Sequence, residues 1–143
     1  MYIHGHVHDT KARTAKKIGI TTGHASIFTT GEELLTFLKS FIDGSLLKKE
    51  TIELMLKYNN METYNNMGTR YKQYLNKKGE VPDICSNNTI VFSGYTGPMY
   101  IIDFINKVIV VIMCNSLHNT KLNRAERKKV TEELMEKICK EIY

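Results

Sequence analysis

The stretch VFSGYTGPMYIID, Val91 to Asp103, decides how the chain is read. It is apolar and strand-like at both ends, yet two small triplets interrupt it, Phe92-Ser93-Gly94 and Tyr95-Thr96-Gly97, followed by Pro98. Glycine packs nothing in a strand and proline cannot donate to a ladder. Such an interruption marks a bulge or a close approach of backbone to another group.

Outward from this stretch the pattern is strand-rich. Thr89–Ser93, Met99–Phe104 and Lys107–Cys114 read as three strands at close spacing, and Asn106 between the last two reads as a hairpin turn. A further strand is expected over Tyr71–Leu75, between a polar connector, Tyr58–Thr69, and a loop, Lys77–Asn88, containing Gly79 and Pro82. The connector holds a near-duplicate, YNNMET then YNNMGT, too short to be a structural repeat.

Helix signals lie on either side. Thr30 and Glu33 have capping-box spacing. Leu34, Leu35, Leu38, Phe41 and Ile42 form one apolar stripe, and Gly44 is a C-terminal stop. A shorter helix is expected over Lys48–Lys57, with Ile52, Met55 and Leu56 inward. A closing helix starts at Asn123 with help from Glu126, and its core-facing stripe is expected to be Val130, Leu134, Ile138 and Ile142. The first thirty residues, rich in Gly, His and Thr, read as loop with one short element. Two helices, an antiparallel meander and a closing helix make an α+β layered fold. We expect a single partial domain over 1–143, divided into a loop region 1–30, helices 31–57, strands 70–115 and a closing helix 123–143.

At 143 residues the chain suits one core. Its content, 42% apolar and 24% charged, is that of a soluble globular protein. No apolar run reaches membrane-spanning length, and MYIHGHVHD has neither the basic end nor the apolar stretch of a signal peptide. As written, the sequence reads as cytoplasmic. The net charge of +5 is scattered over Lys48-Lys49, Lys77-Lys78 and Arg127-Lys128-Lys129 and mixed with Glu. That is a solvated helix face rather than a nucleic-acid patch, which interleaves basic and aromatic residues. Cys85, Cys114 and Cys139 lack metal-ligand spacing and read as reduced thiols, two of them in the core.

Two local patterns invite chemistry. His4, His6 and His8 alternate before Asp9, an arrangement that binds zinc when further ligands complete the shell. Only His24 and His118 remain to do so, and neither comes with a Cys/His set. Ser45-Leu46-Leu47-Lys48 fits S-x-x-K, with Tyr58-Asn59-Asn60 and Tyr64-Asn65-Asn66 fitting Y-x-N. An active S-x-x-K serine begins a buried helix, whereas Ser45 follows the helix-ending Gly44 on the surface.

Read as a whole, the chain resembles the C-terminal half of the serine beta-lactamase and penicillin-binding protein family, in its class C and esterase-like branch. Gly5-x-Val7-His8-Asp9-x-x-Ala12 resembles a G-x-VHD-x-N-A segment. Gly23–Thr30 resembles GHAGLFST. Ser45–Thr51 resembles an ordinary G-x-LLSKET helix start, which gives Ser45 a structural explanation. Asp103–Asn115 resembles IDPEKDLVVVLLTN, and Asn115-Ser116-Leu117-His118 resembles TNRVHP.

The resemblance implies that Phe92, Ser93, Gly94 and Tyr95 occupy the family's third-motif position, K-T-G or H-T-G followed by x-T-G, on the strand that lines the active site. Its glycines are expected to leave the strand edge bare for a substrate backbone, and Tyr95 to keep an N–H suited to an oxyanion hole. His8, Asp9 and His24 become cleft-adjacent. Phe92 stands where Lys or His supplies a proton or positive charge, and the nucleophile and general-base motifs that precede VHD lie outside these residues.

The expected activity of the whole family member is acyl transfer on β-lactams, D-Ala peptides or small esters. These residues alone are expected to be an inactive, truncated or split form, a pseudoenzyme without cofactor. Its partners would be the missing N-terminal half or a second copy, with a peptidoglycan-like peptide or β-lactam as ligand. Full-length relatives are often exported. A non-catalytic module binding a peptide or partner along the exposed strand is the alternative, and a small zinc protein a third reading.

Overall fold

The computed structural model describes residues 5–57, 70–71, 81–115 and 123–143. The YNN duplicates, Lys72–Leu75, Lys77 to Gly79, Ser116 to His118 and His4 lie outside the described residues. The chain divides into two compact units, Met1–Thr30 and Gly31–Tyr143.

Among the described residues the first unit contains one helix, α1, Thr10–Lys17. Asp9 caps it, its carboxylate accepting the Ala12 N–H at 2.8 Å. Lys16 and Lys17 in the last turn complement the helix dipole. Gly19 then takes φ +76°, a left-handed conformation that glycine adopts without strain. The sequence TKARTAKK carries no apolar stripe, so caps and charge placement rather than periodicity define this helix.

The second unit is an antiparallel sheet between helical layers. Helix α2 spans Gly31–Asp43 and α3 spans Lys49–Lys57. The strands are β1 Arg70–Tyr71, β2 Thr89–Ser93, β3 Met99–Asp103 and β4 Val108–Ile112, in spatial order β1-β2-β3-β4. Helix α4, Arg124–Ile142, closes the chain. This is the α+β architecture with an antiparallel meander that the patterning implies.

Register sorts the side chains between two cores. Val91, Ile101 and Val110 are cross-strand partners, as are Ser93, Met99 and Ile112. The apolar residues among these face α4 and pack with Met135, Cys139, Val81 and Cys85. The alternate positions, Ile90 and Ile102 with Tyr100, Ile109 and Val111, pack with Leu34, Leu38, Phe41 and Ile42 of α2 and Leu56 of α3. Side chains alternate faces along a strand. A sheet covered on both sides therefore needs apolar residues at every position, and VIVVI in β4 and MYII in β3 supply them. Full burial of each such side chain contributes ~1.5–3 kcal/mol.

Helix α2 follows its stripe: Leu38 is buried, with Leu34, Phe41 and Ile42 packed beside it. Glu32 and Glu33 sit in its first turn, and Gly44 takes φ +77° just after its end. Helix α4 starts as expected: Asn123 accepts the Ala125 and Glu126 N–H groups while Glu126 accepts the Asn123 N–H, a complete capping box.

The expected inward stripe of α4 is corrected. Val130, Leu134 and Ile142 are exposed, and Met135 and Cys139 are buried, with Ile138 partly so. The stripe turns about one residue further round. The two fully buried positions are four apart and hold a thioether and a thiol, residues that a search for branched aliphatics passes over. Three i,i+4 Lys–Glu pairs and one Glu–Lys pair line the solvent side of α3 and α4: Lys49–Glu53, Lys128–Glu132, Lys129–Glu133 and Glu136–Lys140.

Candidate functional site

The opening stretch forms the β2–β3 hairpin. Ser93 and Met99 are the last paired residues. The Gly94 N–H donates to the Pro98 carbonyl at 2.7 Å, and the Gly97 N–H donates to the Gly94 carbonyl at 3.1 Å. Gly97 takes φ +116°. This is the pattern of a three-residue hairpin loop with its glycine at the positive-φ position. A Cβ on Gly94 would stand 3.1 Å from Pro98 Cγ, so a side chain there would press on the proline ring. Both glycines thus build the turn, and the Gly94 N–H is spent closing it. Pro98 contributes only its carbonyl, the one hydrogen-bonding group it has.

Phe92 and Tyr100 are cross-strand partners whose rings stack, with centroids 5.7 Å apart and planes 22° off parallel. Phe92 is 44% exposed and Tyr95, at the turn, 58%. Burial pushes the Tyr100 hydroxyl above its ordinary pKa, so it stays a neutral donor. The hairpin end presents an aromatic surface, and Phe92 offers no proton or charge.

In the first unit, His24 and Asp9 are brought together, Nε2 to Oδ1 3.4 Å. Asp9 is held below its ordinary pKa, first by the Ala12 N–H and then by His24. Its carboxylate is shared between capping α1 and orienting His24. His8 is exposed, as is His6. Among the described residues no group of three or more His, Cys, Asp or Glu lies close enough to hold a metal, and His4 is outside them.

Ser45 lies on the exposed turn between α2 and α3. Its N–H donates to Asp43 Oδ1 at 2.8 Å, and hydrogen bonds from the Ser45 side chain and backbone lower the Asp43 pKa. The S-x-x-K match is therefore a helix-to-helix turn.

One polar cluster was not legible in the sequence. Asp103, fully buried at the end of β3, accepts hydrogen bonds from Ser86 N–H at 2.7 Å, Ser86 Oγ at 2.6 Å, Ile105 N–H at 3.1 Å, Asn106 N–H at 3.2 Å and Asn106 Nδ2 at 2.9 Å. Tyr143 Oη adds a sixth at 2.8 Å. Burial alone would raise the carboxyl; the donors of Ser86, Asn106 and Tyr143 outweigh it and hold it far below the usual range. Asp followed two to three residues later by a turn is an Asx-turn signal, but nothing in the sequence points to Ser86 or Tyr143 as donors.

A groove of about 450 Å³ runs between α2 and β4, lined by Leu35, Lys39, Ile42, Asp43, Lys107 and Ile109. No described helix is long and apolar enough to cross a membrane.

No protein-family model matches the chain, and no solved structure does. Among curated proteins it is similar to a "Putative D-alanyl-D-alanine carboxypeptidase" of Escherichia coli strain K12 and to one of the same description from Escherichia coli O157:H7. Each is 23% identical over 121 residues. The match takes in 80% of this chain and spans 27% of the relatives' length.

Proposed function

We propose that these 143 residues form the strand-side, C-terminal portion of a serine hydrolase related to the beta-lactamases and D-Ala-D-Ala carboxypeptidases, with the nucleophile supplied by residues outside them. The observation that carries this reading is the partial match: most of this chain is similar to only 27% of a carboxypeptidase-like relative. The ordered resemblance from Gly5 to Asn115 supports it. The β2–β3 hairpin is the candidate wall of the substrate cleft, with Ser93 keeping a hydroxyl and Phe92 replacing the motif's cationic residue.

Removing a nucleophile and its base leaves binding but little catalysis. The 143-residue chain by itself is therefore expected to leave a chromogenic cephalosporin and a p-nitrophenyl ester unhydrolysed. Turnover that disappears on Ser45→Ala would overturn this reading. Among the described residues β4 is one of the two outer strands, with two-residue β1 the other, and its wholly apolar VIVVI without proline makes an edge that is a template for pairing. We place the partner there. Light scattering separates its two forms: a dimer of this chain identifies a second copy, and a monomer points to the N-terminal portion.

Exposed Phe92, stacked on the partly buried Tyr100, and exposed Tyr95 favour a second reading, a binding module that holds a peptide along the hairpin without turnover. Saturable affinity for a D-Ala-D-Ala peptide, lost on Phe92→Ala, would support it.

A further inference from the structure

We infer that Cys85 and Cys139 are a disulfide-forming pair, a covalent staple between the loop before β2 and the last turn of α4. The two residues are 54 positions apart, yet the fold brings their sulfurs to 3.9 Å. Both are fully buried in the same core, and Cys114 is exposed. A disulfide needs an S–S distance of ~2.05 Å, so the sulfurs must close by less than 2 Å. The surroundings hold them in place. Cys85 follows Val81 and Pro82, and its N–H donates to the Pro82 carbonyl at 3.1 Å. The neighbouring Ser86 is fixed twice to Asp103, and Asp103 is fixed to Tyr143, one turn beyond Cys139. The loop and the helix end are thus already aligned by hydrogen bonds before any covalent link forms.

The bond forms by thiol–disulfide exchange with a small-molecule disulfide. One thiolate attacks a sulfur of that disulfide, releasing one small thiol and leaving a mixed disulfide. The second thiolate displaces the other small thiol, so two protons leave the protein thiols and the small disulfide is reduced to two thiols. In the folded core, burial first, then Cys85 and Asp103, push the Cys139 thiol up to about 12. Exchange therefore runs through the unfolded or opened chain, where the thiols are exposed. The closed loop is long, so constraint of the unfolded chain gives a large gain.

The test uses the 143-residue chain refolded with oxidised glutathione or with a reductant. Peptide mapping without reduction is expected to show Cys85 joined to Cys139, with Cys114 still free. The oxidised form is expected to melt on the order of 10 °C higher than the reduced form. Cys114→Ser should keep both results, and Cys139→Ser should abolish both. Three free thiols after oxidative refolding, or a cross-link that uses Cys114, would overturn the pairing. A Cys85–Cys139 bond without a rise in melting temperature would overturn its role as a staple.

Discussion

Tyr143, the last residue, donates its hydroxyl to Asp103 Oδ2 at 2.8 Å and so ties the end of α4 to the β3–β4 turn. Asp103 is buried with six donors around it, and removing it orphans several of them at once. A hydrogen bond to a charged group contributes ~1.5–3 kcal/mol, and each orphaned buried donor costs ~1–3 kcal/mol. Tyr143→Phe should therefore lower stability by about 1.5–2 kcal/mol, and Asp103→Ala by about 3 kcal/mol or more. Urea titration measures both. Equal losses in the two variants would show that Asp103 acts only through Tyr143.

The same cluster sets a pH dependence on both sides of neutrality. The Asp103 carboxyl is held well below its unfolded value of about 3.9, so its contribution is present above that pH and declines as pH falls further. Tyr143 is raised, by burial first and then by its bond to Asp103, and Cys139 is raised to about 12. Their contributions are present below their unfolded values, about 10 and about 8.5, and are lost as pH climbs toward the folded ones. Urea midpoints should be flat from about pH 5 to 8 and fall outside that range. Tyr143→Phe should soften both limbs, because it removes the phenol and one donor to the carboxylate.

At the hairpin, Gly97→Ala should destabilise by about 1–3 kcal/mol, because φ +116° strains any residue with a Cβ. Gly23→Ala meets open space and no such conformation, so it should stay within about 0.5 kcal/mol. Thermal melts of the two variants give the comparison. A neutral Gly97→Ala would mean that the turn is not held as described.

The sheet was legible because its signals are local. Alternation is replaced by continuous apolar residues in MYII and VIVVI, and Asn106 lies in the turn that joins them. Helix α2 declared itself through its stripe and Gly44, and α4 through Asn123 and Glu126. Helix α1 was only one short element within a loop, since TKARTAKK has helix formers and a cap but no face to bury. The inward face of α4 was misplaced by about one residue. Val130 and Leu134 are more hydrophobic by habit than Cys139, but only the partner surface decides which side of a helix is covered. The hairpin motif was found from its glycines, while their job in closing the turn came from the Gly94–Pro98 hydrogen bond.

Amino-acid order alone determined the α+β class, the three adjacent strands, the N-terminal cap of α4 and the resemblance to a hydrolase family. Each of these depends on neighbours within a few residues, where period, capping and turn chemistry act. Tertiary structure alone decided that Ser86, Asp103 and Tyr143 share one buried network, that Cys85 and Cys139 face each other, and that Asp9 serves both α1 and His24. Those pairings join residues 15 to 54 positions apart. No local rule selects such partners; packing the sheet between its helical layers brings together those of the second unit, and the fold of the first unit brings His24 to Asp9.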